Sequence, residues 1–381
     1  NHFGSQYERV LPASSVANLY PFNYSGKTDP HGFYLGRDKF GTNILTDFDR
    51  RSDDKTNANV LILGNSGQGK SHLLKGILAN LRESGKSLIV LDPEQEYQEL
   101  CENLGGCYLD YLSGEYVINP LQPQNWDEDP VNEDDERTPE QRDAAPMSRS
   151  SIGESGNLAP TPKPPVVPVP GPFQKTTLLS RHISYLKDFF RSYKDFTTAQ
   201  LDTIELMLQK LYRRFDMDDY TDFSQVAPEK FPTMSDFYDL LEEEFDLYDP
   251  KRKNLFSEET IQEVCLGLHS MCKGAESKYF NGHTNIKDDK FLVFGVKGIM
   301  ELNRSLRDAL LFSILSYMTN ALLGAGNYVG ALDELYLFLT NLTAIEYIRN
   351  LMKRDRKKDS LLVLASQNIE VRPDRVLCKA A

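Results

Sequence analysis

"LILGNSGQGKSHLL", residues 61–74, leads from three aliphatic positions into a glycine-rich segment that closes on a lysine and a serine. Its centre, Gly64-Asn65-Ser66-Gly67-Gln68-Gly69-Lys70-Ser71, has the spacing G-x-x-x-x-G-K-[ST]. Glycine suits such a loop because the backbone must fold its N–H groups around an anion, along a path that side chains and the cost of positive φ would obstruct. A helical pattern begins near Lys70, and the positive end of its dipole favours negative charge at the same place. ATP with Mg²⁺ is the expected ligand. Residues 64–71 would cradle the phosphates, Lys70 would reach the β- and γ-phosphates, and Ser71 would hold the metal.

Outward from this loop, apolar runs bounded by turn residues recur at 59–64, 87–92, 290–296, 328–333 and 360–366. Continuous runs of this length suit parallel strands covered on both faces. Helical patterns lie between them, at "KSHLLKGILANLRESG", "SLRDALLFSILSYMTNALLG" and "TAIEYIRNLMKRDRK". The alternation predicts an α/β fold with a doubly wound, mostly parallel sheet.

Two segments interrupt the alternation. Residues 122–174 concentrate proline and acid ("DEDPVNEDDE", "APTPKPPVVPVPGP") and cannot bury enough apolar area to offset ordering entropy, so they read as a disordered insertion. "PKPPVVPVP" within it also fits a polyproline ligand. Residues 175–285 turn helical: Leu201, Ile204, Leu208 and Leu211 recur at helical spacing, Thr197 with Gln200 forms a capping box, and Ser235 and Ser257 are candidate N-caps. They read as an all-α subdomain inserted between two parts of the α/β domain, residues 1–121, with an N-terminal linker, and 286–381.

A hydrolytic site of this kind needs a second acidic strand end, and "YVGALDELYLFL" carries an apolar run into Asp333 and Glu334. Asp333 would join the Mg²⁺ shell, and Glu334 would polarise the attacking water as general base. Alone, an acidic pair after an apolar run marks a strand reaching solvent; beside a phosphate loop it reads as catalytic. Gln367, in "LLVLASQN", is either a sensor of γ-phosphate or water, or an ordinary turn residue. "KRDRKK" (353–358) is the densest basic cluster. Its Arg354 and Arg356 are either a solvated helix end or an arginine finger for a neighbouring subunit.

Composition excludes some roles. A net charge of −13 argues against coating nucleic acid or anionic membrane without a local basic patch. Cys101, Cys107, Cys265, Cys272 and Cys378 contain no C-x-x-C pair, so reduced thiols in a cytosolic setting are expected rather than disulfides or a zinc site. The apolar stretch 309–324 is short for a bilayer span and carries Ser, Thr and Asn, which makes it a core helix. The opening "NHFGSQYERV" has neither Met nor a signal-peptide pattern, as expected of a piece of a longer protein.

The order of the glycine loop, "LDPEQEY" (91–97), a helical insertion, "DELYLFL", "KRDRKK" and "SQN" resembles the ATPases of type IV secretion and conjugative transfer systems, the VirB-four/TraC class of the HerA–FtsK group of motors. "YVINPL" (116–121) and "HISYLKDFF" (182–190) look like further segments of that class. The resemblance implies a RecA-like P-loop ATPase domain with a helical subdomain and ATP and Mg²⁺ as ligands. It also implies self-association into a ring, hexameric in the machine, contact with other secretion-channel components, and a cytoplasmic place at the inner face of the bacterial membrane. By the same likeness Lys70 and Ser71 serve phosphate and metal, Asp333 and Glu334 form the Walker B pair, Gln367 is the sensor and Arg356 or Arg354 the finger. Glu94 or Glu96 stands at the group's acidic active-site position. Leu335-Tyr336 departs from the Ala-Trp frequent after the Walker B pair. Two other readings stay open: a DNA-pumping translocase of the coupling-protein or FtsK/HerA type, and a nucleotide-dependent assembly scaffold with incidental turnover.

Overall fold

The computed structural model describes residues 28–38, 40–48, 58–123, 177–251, 255–286, 289–338, 345, 348–349, 351–352 and 360–367. The Pro-rich insertion, apart from its first two residues, and the basic cluster with Arg354 and Arg356 lie outside them.

Strands β1 (Phe33–Arg37) and β2 (Asn43–Thr46) form an antiparallel hairpin that the apolar-run reading did not anticipate. The α/β core follows with β3 (Val60–Leu63), α1 (Lys70–Glu83), β4 (Ser87–Asp92), α2 (Gln98–Asn103) and β5 (Cys107–Asp110). Four longer helices come next: α3 (Leu178–Tyr193), α4 (Thr198–Arg214), α5 (Met234–Asp246) and α6 (Glu258–Cys272). The chain then returns through α7 (Ser277–Phe280), β6 (Phe291–Gly295), α8 (Lys297–Met300), α9 (Arg304–Asn320), β7 (Tyr328–Leu332) and β8 (Leu361–Ser366). The fold is α/β with an inserted all-α subdomain.

Strands β3 to β8 make one sheet in the order β3-β8-β7-β4-β6-β5, with every pairing parallel. All strands therefore end on one side, and the segments that leave β3, β4, β7 and β8 emerge along one edge, where open α/β sheets bind ligands. β5 escaped the sequence reading because "CYLD" is only four residues long and ends in an acid.

The period-two alternation of each strand divides the core into two layers. In β4, Leu88 and Val90 join Leu74, Ile77, Leu78 and Leu81 of α1 on one face. Ile89 and Leu91 join the other layer, where α9 and α3 supply Leu310, Ile314, Leu186 and Phe189. Helix α9 is buried nearly all round, as its continuous apolar run requires. Leu61 and Leu63 of β3 depart from the expectation of strands covered on both faces: among the described residues they are half-exposed at the sheet edge.

In the helical subdomain Thr197 caps α4 in a full capping box with Gln200, and Ser257 caps α6 by accepting the Thr260 N–H at 3.1 Å. Ser235 is not a cap. Thr233 caps α5, because Asp236 reaches back to the Thr233 N–H at 2.7 Å and closes a box one residue pair earlier. The Ser235 hydroxyl instead accepts from the Asn281 amide at 2.8 Å.

Candidate functional site

The segment after β3 turns on two glycines in the left-handed region, Gly67 at φ 77° and Gly69 at φ 82°. A Cβ there would cost about 1–2 kcal/mol per position, so the sequence supplies glycine where the backbone bends. Gly69 is also the N-cap of α1, with no side-chain cap. The first-turn N–H groups of α1 thus call for an outside acceptor. The Gly64 N–H donates to the Ser366 carbonyl at 3.4 Å, which fixes the start of the loop against the end of β8.

Lys70, the first residue of α1, is buried, and its ion-pair partner is Glu334 Oε1 at 3.8 Å, beyond hydrogen-bond reach. Glu334 leaves the end of β7 with φ at 50°, an uncommon conformation for a residue with a Cβ. Its Oε1 accepts the Gln367 amide N–H at 2.6 Å, while Oε2 is buried without a hydrogen-bond partner. The neighbouring Asp333 is buried too. Its Oδ1 accepts the Glu334 backbone N–H at 2.9 Å and its Oδ2 accepts the Tyr97 hydroxyl at 2.7 Å.

The turn after β4 forms the facing wall. Asp92 is fully buried and accepts the N–H of Glu96 at 3.1 Å and of Tyr97 at 2.9 Å. Burial pushes its carboxyl above the usual carboxylate range, against the opposing pull of the N–H groups of the turn. Burial, with the Asp333 charge second, likewise pushes the Tyr97 hydroxyl far above the usual phenol range. Gln95 completes the turn at φ 62°. Lys75 on α1 pairs with Glu96 at 3.8 Å and sits 5.2 Å from the Tyr97 ring centre.

These pieces enclose a cleft of about 560 Å³. Ser66, Gly67, Gly69, Lys70 and Ser71 line it from the glycine loop, Glu334 and Gln367 from β7 and β8, and Glu94 and Glu96 from the turn after β4. Residues named from separate parts of the sequence thus meet at one sheet edge. Asn65 and Gln68 lie on the loop, joined by the Gln68 N–H to the Asn65 carbonyl at 3.3 Å. The sequence reading missed three contributors: His72, which lines the cleft, and Asp92 and Tyr97, which build its wall. The available signal was the acid-to-aromatic spacing in "DPEQEY", where a strand-end carboxylate can accept the N–H groups of a following turn.

Residues 37–135 match the family described as the TraG P-loop domain. Protein TraC of Escherichia coli (strain K12) is 34% identical over 96 residues, 25% of this chain and 11% of TraC. An uncharacterised protein of Bacillus anthracis is 29% identical over 120 residues, 29% of this chain and 18% of its own length. The chain therefore spans only a small part of the length of the curated relatives it matches. The solved structure of VirB4 of Thermoanaerobacter pseudethanolicus superposes with a TM-score of 0.69 at 26% identity, covering 90% of this chain and 78% of that one. The chain shares its RecA-like P-loop fold with VirB4, and the TraG P-loop match and the TraC-like segment make it similar to the VirB4 class of type IV secretion and conjugative P-loop ATPases.

Proposed function

We propose that the chain is the ATP-hydrolysing motor domain that energises a type IV secretion or conjugation system. The observation that carries the reading is the convergence of Lys70, Glu334 and Gln367 beside the glycine loop, with Glu334 Oε1 at 2.6 Å from the Gln367 amide and 3.8 Å from the Lys70 ammonium. A buried ammonium whose carboxylate partner stands beyond hydrogen-bond distance has donors to offer a phosphate. Glu334 Oε2, buried and unpartnered, has an acceptor to offer a water.

In this reading residues 64–69 wrap the phosphates with backbone N–H groups, and Lys70 neutralises charge between the β- and γ-phosphates. Glu334 accepts the proton of the attacking water, and Gln367 orients that carboxylate and senses the γ-phosphate. Ser71 and Asp333 are the residues that would hold Mg²⁺. They fit it as hard oxygen donors: each Asp333 carboxylate oxygen accepts one hydrogen bond, from the Glu334 N–H and the Tyr97 hydroxyl, and keeps a lone pair for a further partner. When bound, Mg²⁺ supplies charge neutralisation on the β- and γ-oxygens. Glu94 and Glu96 line the facing wall, and either supplies the acidic position that the resemblance implies.

The wider proposal follows the family: a ring of subunits, hexameric in the machine, contacts to other channel components, and work at the cytoplasmic face of the bacterial membrane. No helix among the described residues is long and apolar enough to cross a membrane. Arg356, with Arg354 as second candidate, completes a neighbour's site as a finger. Mixing Arg356→Ala with Glu334→Gln subunits is expected to restore activity at mixed interfaces; co-assembled mixtures that stay inactive would rule the finger out.

The motor reading is tested by steady-state phosphate release with and without DNA. Mg²⁺-dependent release that DNA leaves within about twofold supports a secretion motor, whereas strong stimulation by DNA points to a translocase. Assembly that requires ATP but proceeds equally in Glu334→Gln, with negligible release by the unaltered chain, points to a scaffold.

A further inference from the structure

Strands β4 and β7 are neighbours, with Leu91 paired to Leu332, so the next residues, Asp92 and Asp333, end adjacent strands at the same level. Two buried carboxylates side by side repel each other unless donors lie between them. Tyr97 supplies one donor to each: its backbone N–H goes to Asp92 Oδ2 at 2.9 Å and its hydroxyl to Asp333 Oδ2 at 2.7 Å.

We propose that the Tyr97 hydroxyl is a positioning group for Asp333, tying the turn that carries Glu94 and Glu96 to the metal-holding end of β7. The proposal rests on the nucleotide-site reading above. The Tyr97 ring alone has a packing role, since it is fully buried beside Cys101 and the α1 side chains. A phenylalanine would fill that space equally. The hydroxyl adds direction: with Oδ1 held by the Glu334 N–H and Oδ2 by Tyr97, the Asp333 carboxylate has one orientation, and each oxygen keeps a lone pair for a further partner. The same tyrosine is the last residue of the turn whose Glu94 and Glu96 line the cleft, and Glu96 is tethered to α1 by Lys75 at 3.8 Å. A shift of that wall is therefore transmitted to Asp333 through one hydrogen bond.

The test is the Mg²⁺ dependence with which a fluorescent ATP analogue binds to the chain carrying Tyr97→Phe, which removes one oxygen and keeps the ring. Removing an outer partner of a metal ligand typically weakens metal affinity about 10- to 100-fold. The Mg²⁺ midpoint is expected to rise by that factor, while affinity for the analogue in EDTA stays as in the unaltered chain. A midpoint within about twofold of the unaltered chain overturns the proposal and leaves the nucleotide-site reading standing. Absence of Mg²⁺-dependent binding in the unaltered chain overturns both.

Discussion

The Gln367 amide donates to Glu334 Oε1 at 2.6 Å, joining the ends of the neighbouring parallel strands β8 and β7. This contact fixes one oxygen of Glu334, a residue already held at a positive φ, and points the carboxylate at the cleft. Gln367→Ala should leave nucleotide affinity within about threefold and lower turnover about 10- to 100-fold, the scale on which misplacing a reacting group acts. Equilibrium binding beside steady-state phosphate release measures both. Unchanged turnover would make Gln367 an ordinary turn residue.

Gly69 combines a φ of 82° with the N-cap of α1, so Gly69→Ala meets a conformational penalty before any ligand arrives. Destabilisation of about 1–2 kcal/mol is expected from the left-handed backbone alone. Phosphate affinity should fall as well, because a relaxed loop no longer aims its N–H groups. Chemical denaturation and nucleotide titration check the two effects separately.

His182 on α3 is buried, and desolvation pushes its pKa down to about 3, opposed more weakly by the Leu121 carbonyl. The native ring is neutral, whereas the unfolded ring takes a proton below its ordinary pKa of about 6.5. Stability is therefore lost as pH falls from about 6.5 towards 3, by up to about 1.4 kcal/mol per pH unit. A His182→Leu chain should show a shallower loss of stability between about pH 6 and pH 4. Equal slopes for the two chains would contradict a buried neutral histidine.

Phe189 on α3 packs its ring 5.3 Å from Phe190, 5.8 Å from Phe280 and 6.0 Å from Phe312 of α9. It thereby joins the helical subdomain to a helix that covers the sheet. Phe189→Ala is expected to cost about 3–5 kcal/mol through lost burial and a residual cavity. A loss below about 1 kcal/mol in equilibrium unfolding would mean that the helical subdomain and α9 do not share a core.

Much of this architecture is local in origin and hence legible in the residues. The glycine loop spells out its own backbone, α4 carries its Thr197–Gln200 box, and the apolar runs of β4, β6, β7 and β8 carry their burial with them. What the sequence hid depends on distant partners. Tyr97 meets Asp333 across 236 residues, and only the sheet order makes β4 and β7 neighbours. The choice of Thr233 over Ser235 turned on whether Asp236 reached back to an N–H, a rotamer question that residue type leaves open. β5 was too short to announce itself, and it is held as a strand by its pairing with β6.

The central claim, a hydrolytic nucleotide site built by Lys70 and Glu334, is tested most directly by the chemical identity of nucleotide that stays bound. The unaltered chain, Lys70→Ala and Glu334→Gln are each incubated with Mg²⁺ and ATP and freed of unbound ligand, and the retained nucleotide is separated into ATP and ADP. The unaltered chain should yield ADP, Glu334→Gln should retain intact ATP, and Lys70→Ala should retain neither. Full retention by Lys70→Ala, or conversion to ADP by Glu334→Gln at the rate of the unaltered chain, would contradict the assignment.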